Sequence, residues 1–229
     1  MSRKILVFCE YVVPDQQAQL REQAVLSTAG FLAGRLQASV DIILWGETTL
    51  ENFPATLADA RLHHLEEMPT TSLLATVDIA AIATGLINLY KPDVILFSTS
   101  MTNSNMHLLA AACAFLLPAD FFFGVTGWKT DDPDNLFFWR PGNENLLEIR
   151  LELPLVLGIT HDAGLDKAAT ATVPTPTILT TAELGMELDI IQMRSALFPE
   201  PVSIIETPNS HETDFESAIS WFTSDVTSD

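Results

Sequence analysis

The chain has 229 residues, enough for one ordinary domain with an appendage or for two small domains. It is 48% hydrophobic with a positive mean hydropathy, which excludes a disordered chain. Its net charge of -19, from 30 acids against 11 bases, excludes non-specific nucleic-acid binding and docking on anionic membranes.

The apolar run after Arg3 and Lys4 breaks at Glu10, too soon for a secretory leader. Residues 4–13, KILVFCEYVV, read instead as a buried strand. Pro14 and Asp15 end it, and residues 16–36 carry a helical period through Leu20, Ala24, Leu26, Phe31 and Leu32. VDIILW at 40–45 predicts a second buried strand, stopped by Gly46, and 61–66 a third, shorter one. The clearest helix is 73–90, LLATVDIAAIATGLINLY, which Lys91-Pro92-Asp93 closes. VILF at 94–97 is the next strand. It runs into a loop of neutral hydrogen-bonding side chains, STSMTNSN, and then an alanine-rich helix over 106–117. Pro118 and Asp120 stop that helix far short of a membrane span.

After Pro118 the texture changes. The runs 121–129 (FFFGVTGWK), 136–139 (LFFW) and 145–151 (NLLEIRL) are strand-like and separated by turn residues, which predicts an antiparallel ribbon extending the sheet. LPLVLGIT at 153–160 reads as the last core strand, followed by the Pro/Thr-rich TVPTPTILTT. From Glu183 to Asp229 there are ten acids and one base, Arg194, with few apolar anchors. This segment is expected to cover a neighbour rather than to fold alone.

Strands alternating with helices at this spacing predict right-handed βαβ units around a parallel sheet. The expected architecture is α/β: a three-layer, Rossmann-like sheet of adenine-nucleotide-binding type, with the antiparallel extension and a C-terminal arm. The boundary falls between a domain over 1–180 and an acidic arm over 181–229. In such sheets ligands lie outside the carboxyl ends of the strands, near the switch point. The candidate cofactor-binding residues are therefore Cys9 and Glu10 at the end of the first strand, and Ser98, Thr99, Ser100, Thr102, Asn103, Ser104 and Asn105 in the loop. Thr126 in the FFFGVTGW run joins them. The amides at the mouth of the following helix, helped by hydroxyl and amide side chains, suit an anion without a lysine. Ser104 or Asn105 also suits a plain helix cap.

Other chemistry is thinly represented. His63 and His64 are adjacent on a strand and point to opposite faces, a poor arrangement for one metal ion. His161-Asp162 has the makings of a general-base pair, but no nucleophile elbow accompanies it, and a loop histidine is the simpler reading. The two cysteines, Cys9 and Cys113, build neither a disulfide framework nor a thiolate metal site; they read as buried apolar side chains of a reducing, cytoplasmic compartment. Phe121, Phe122, Phe123 and Trp128 read as core and interface.

The order of these pieces resembles the electron transfer flavoprotein family. The pieces are KILVFCEYV, KPDVILFS with its polar loop, the helix ending LLPAD, FFFGVTGW, NLLEIRLELPLVLGIT, and AELGMELDII leading into a tail. The chain is most similar to the small (beta) subunit over nearly its whole length, and to the N-terminal domain of the large (alpha) subunit over 4–160. That resemblance implies an electron-carrier subunit rather than a catalyst. It implies FAD held mainly by a large partner subunit in a heterodimer, exchange with redox partner proteins, and AMP in the polar loop. The family's small subunit carries a D-G/D-D-T-x-Q pattern there. This chain has Asn103-Ser104-Asn105-Met106-His107-Leu108, so both aspartates are asparagines. The hydroxyl and amide lost at Met106 and Leu108 remove two polar contacts worth roughly 1 kcal/mol each. The family's N-P-F-D segment is shortcut by PDQQAQLREQA. The alternatives are a stand-alone adenine-nucleotide-binding or regulatory module without flavin, and a hydrolase using His161 and Asp162.

Overall fold

The computed structural model describes residues 3–10, 16–45, 53–65, 76–99, 104–132, 135–142, 145–160 and 170–186. The chain divides into two compact units, Met1–Leu197 and Phe198–Asp229, and every described residue belongs to the first.

Strand β1 (Lys4–Glu10) leads to helix α1 (Gln16–Leu36) and strand β2 (Ser39–Trp45). A single 3-10 turn at Ala55–Leu57 precedes β3 (Arg61–Leu65). Helix α2 (Thr76–Tyr90), strand β4 (Val94–Ser98) and helix α3 (Ser104–Leu116) follow. Then come β5 (Asp120–Val125), β6 (Gly127–Asp132), β7 (Asn135–Pro141), β8 (Leu146–Leu151), β9 (Leu155–Ile159) and β10 (Thr177–Leu179). Seven strands form one sheet in the order β10-β3-β2-β1-β4-β9-β5, and every neighbouring pair is parallel.

The central strands are apolar throughout because both faces of the sheet are covered. Strand alternation sends Ile5, Val7 and Cys9 to one face and Leu6 and Phe8 to the other; Val94 and Leu96 separate from Ile95 and Phe97 in the same way. The first face packs on α1 through Ala24, Val25, Ala29 and Leu32. The second packs on α2 and α3 through Ile79, Ile82, Leu86, Leu109 and Cys113. This is the expected three-layer α/β arrangement. Both long helices stop on a residue in the left-handed region, Gln37 (φ 51°) after α1 and Lys91 (φ 49°) after α2. No helix among the described residues is long and apolar enough to cross a membrane.

Three expectations need correction. The run 121–129 is not one strand. Its first part, β5, closes the edge of the parallel sheet beside β9, and its second part, β6, starts a separate three-stranded antiparallel sheet, β6-β7-β8. The break has a local cause: the register with β9 shifts between Phe123 and Val125, around Gly124 at φ 83°, and the Thr126 N–H then bonds to Trp139 O of β7. Second, the antiparallel ribbon does not extend the main sheet. Leu136, Phe138 and Leu151 join the α1-side core instead, with the Trp128 ring 5.6 Å from that of Phe31 on α1. Third, the buried strand expected at 153–160 forms as β9, but it is not the last strand of the sheet. Thr177–Leu179 adds β10 at the opposite edge, parallel to β3. Prolines at 174 and 176 disguise it, and an edge position is where a sheet tolerates proline nearby.

The chain after β10 docks on α2. Thr180 and Glu183 bond reciprocally: Thr180 N–H donates to Glu183 Oε2 (2.8 Å) and Glu183 N–H to Thr180 Oγ1 (3.3 Å). Leu184 is thereby seated over Gly85, where an added Cβ would stand 2.5 Å from Leu184 O and 2.8 Å from its Cβ. Gly85→Ala gains up to about 1 kcal/mol of helix propensity but forces backbone apart, at a cost of about 1–3 kcal/mol. The expected result is a net loss in denaturant titration, with faster amide exchange confined to 180–186. A more stable variant would show that the docked turn is not held by this contact.

Candidate functional site

The sheet reverses its build direction between β1 and β4. The chain moves outward from β1 to β2 and β3 and returns through α2 to β4 on β1's other side. The carboxyl ends of β1 and β4 therefore border the crevice in which a doubly wound sheet holds its ligands. Cys9, Glu10, Ser98 and Thr99 all come to this end, and α3 starts next to it.

Each position has a definite environment. Cys9 is fully buried on the α1 face. Burial, and then the charge and hydrogen bond of Glu22 from α1, push its thiol well above the usual range. A thiol held protonated in this way is a packing group and not a nucleophile. Burial alone pushes Cys113 up to about 12. Both cysteines are thus the buried apolar side chains expected of them. Glu10 ends β1, paired in register with Trp45. Ser98 is buried in the last position of β4.

Thr99 and Thr126 share a device that the sequence does not advertise. Thr99 donates its backbone N–H (2.9 Å) and its hydroxyl (3.3 Å) to Ile159 O of β9. Thr160 does the same to Val125 O of β5, at 2.9 and 3.0 Å. Thr126 does the same to Trp139 O of β7, at 2.9 and 3.3 Å. Three threonines thus tie the ends of β4, β9 and β5 to one another and the end of β5 to Trp139 within β7. Their hydroxyl protons are committed to carbonyls, so toward a ligand they offer oxygen lone pairs as acceptors. Thr160 was not among the expected residues; its signal was the same strand-end Thr seen at 99 and 126.

Ser104 and Asn105 open α3, whose first-turn amides have no partner within the helix. His107 lies in that first turn, its ring 6.5 Å from Phe97 and 6.2 Å from Phe123. Phe97 anchors the aromatic group: Phe121 stacks on it at 6.1 Å with planes 6° apart, and Phe123 tilts against it at 5.9 Å. Ser100, Thr102 and Asn103, and the pair His161 and Asp162, lie outside the described residues.

A second cluster, missed in the sequence reading, sits between β2, β3 and β10. Asp41 is buried in the middle of β2 and accepts from Arg61 Nη2 (2.6 Å) and His63 Nε2 (2.9 Å). The other ring nitrogen of His63, Nδ1, meets Thr177 Oγ1 at 2.9 Å, and the Thr177 hydroxyl also reaches Leu62 O at 3.2 Å. Tyr90 packs edge-on against the imidazole at 5.3 Å. Burial, with Asp41 nearby, pushes the Tyr90 phenol well above its ordinary value. The network fastens the edge strand β10 to the sheet through a buried carboxylate. Its only sequence signal is a lone acid inside VDIILW. Among the described residues no group of three or more His, Cys, Asp or Glu side chains could hold a metal ion.

Comparison with models of known protein families finds no match for the chain, and comparison with curated proteins finds no match either.

Proposed function

We propose that this chain is the small, beta-type subunit of a divergent electron transfer flavoprotein. In this reading it is a cytoplasmic carrier that joins a larger FAD-bearing subunit and relays electrons between flavin dehydrogenases and a downstream acceptor. The observation that carries the reading is the crevice at the carboxyl ends of β1 and β4, whose described groups are held in place by the fold itself. Thr99 commits its hydroxyl proton to the Ile159 carbonyl, Cys9 is held as a thiol, and Phe97 at the end of β4 carries an aromatic stack. A carrier subunit needs shape and a fixed dielectric more than proton transfer. The order of segments along the chain supports the same reading.

FAD, when bound in the heterodimer, supplies the electron-accepting ring, and this chain's part is to close over it. AMP would be held by the first-turn amides of α3 with Ser98 and the loop over 100–103. The amide donors fit a phosphate, while Thr99 and Thr126 contribute acceptors only. The second reading, a stand-alone adenine-nucleotide-binding module, is favoured by the crevice being assembled from strands of one chain.

The deciding experiment is to purify the native protein with whatever accompanies it, denature it, and identify the released small molecules and the companion chains. FAD, AMP and a larger chain together are the expected result. FAD and the larger chain without AMP would keep the carrier and reduce the loop to a helix cap. Neither flavin nor companion would overturn the carrier and leave the stand-alone module.

A further inference from the structure

We propose that the β5 edge of the sheet is a self-association surface. Strand β5 pairs antiparallel with β5 of a second copy of this chain, about a twofold axis at Phe122, and the two α3 helices pack over the joint.

The edge is open and chemically unusual. Strand β5 ends the seven-stranded sheet, with β9 on its inner side. The Asp120 N–H donates inward to Pro154 O, so strand alternation turns the backbone N–H and C=O of Phe121 and Phe123 outward. Edge strands are ordinarily blunted by charge, proline or cover. Here the side chains presented are Phe121 and Phe123, 46% and 39% exposed. Beside them α3 exposes Leu108, Phe115 and Leu116, one stripe at helical spacing in which Phe115 is 86% exposed. From Val94 to Trp128 the sequence contains a single Asp, Glu, Lys or Arg, namely Asp120, in a chain that is 18% charged. A face kept in water would carry a share of those charges; this one is built to be covered.

A second copy is the occupant that satisfies Asp120, the one charge of β5. With Phe122 on the axis, Phe121 stands opposite Phe123 of the other copy. This pair exchanges two N–H···O bonds and brings the aromatic side chains together on the α3 face. The same register sets Asp120 opposite Gly124 of the other copy, on the opposite face of the strand. That position has no side chain of its own. Arg140 lies over it, with Cδ 3.9 Å from where a Cβ would be and the guanidinium 5.3 Å from the Phe122 ring. Arg140 otherwise makes an exposed 3.3 Å bond to Phe123 O, and Asp120 Oδ2 accepts at 3.4 Å from Glu152 N–H. Pairing exchanges these long contacts for two symmetric Asp120–Arg140 ion pairs, as a self-complementary twofold interface requires. The net charge of -19 per copy opposes approach, so association strengthens as salt rises toward physiological strength and screens that repulsion.

The test is the mass of the full chain in solution, by sedimentation equilibrium at tens of micromolar. The expected species is twice the 25.1 kDa chain. Phe121→Asp should give monomer. Asp120→Arg and Arg140→Asp should each weaken the dimer at least tenfold, and the two together should restore it, because the pair re-forms with its polarity reversed. Where a variant loses its near-ultraviolet circular dichroism, amide protection at Phe121 and Phe123 in the unaltered protein decides instead; it should rise with concentration. A monomer throughout, a dimer indifferent to Phe121→Asp, or a double reversal that fails to restore would each overturn the proposal. A chain that is monomeric alone but seats a larger flavin-bearing chain on this edge would also overturn it, giving the surface to a different partner.

Discussion

Phe97→Ala is expected to lower stability by about 3–5 kcal/mol, the cost of emptying a fully enclosed aromatic site. Phe97 is buried at the carboxyl end of β4, with Phe121, Phe123 and His107 arranged around its ring. The cavity would stay open because the neighbour beneath is Gly158. A Cβ built there would already stand 2.9 Å from Thr99 Cγ2 and 3.1 Å from Phe97 Cζ, so the strand brings no side chain that could move in. Phe97→Leu, which keeps most of the volume, should cost about 1–1.5 kcal/mol. Denaturant midpoints at constant slope give both numbers. The consequence for function is specific: the ring holds β5 and the first turn of α3 against β4, so the alanine variant should also weaken anything bound at the α3 amides. An alanine variant within about 1 kcal/mol of the parent would show that β5 and α3 are held by other contacts.

Asp41→Asn should cost about 1.5–3 kcal/mol at neutral pH, the range for hydrogen bonds to a charged partner. The Arg61 share is discounted because that side chain is 60% exposed and its charge is screened; His63, at 16%, carries more of the effect. Burial pushes the Asp41 carboxyl up, but the hydrogen bonds from His63 and Arg61, together with their charges, outweigh it and hold the group below its ordinary value. A carboxyl lowered in the folded state adds stability that is fully present above the unfolded value of about 3.9 and is lost as pH falls through the folded value. The gap between parent and variant should therefore be constant around neutrality and shrink in acid. Denaturant titrations of both proteins at about pH 7 and about pH 3 test it. A gap that persists unchanged in acid would mean that Asp41 acts by packing. Because Thr177 hangs on His63, the variant should also loosen β10 first, seen as early amide exchange at Thr177–Leu179.

The layered α/β plan was readable in the residues themselves. Strands β1, β2, β4 and β9 are short apolar runs because both of their faces are covered, and α1 and α2 announce themselves by period and by their stop signals. That local chemistry also placed Ser98 and Thr99 at a strand end facing a helix mouth. Other features depended on partners far away in the chain. FFFGVTGW carries a bulge signal at Gly124, but where the second part goes is decided at Thr126 by a carbonyl of Trp139 on another strand. TIL became a strand only because β3 offered it an edge. Asp41 is a lone acid in an apolar run, and only the fold brings His63 beside it and Thr177, 114 positions beyond His63, to the other side of the same ring. Likewise the hydroxyls of Thr99, Thr126 and Thr160 are free or committed according to which carbonyl the next strand supplies. Backbone periodicity and the exclusion of apolar side chains from water are local properties, and a single chain displays them in order. Hydrogen-bond commitment, ion pairing and an open edge are properties of pairs, which exist only once packing has chosen the neighbours.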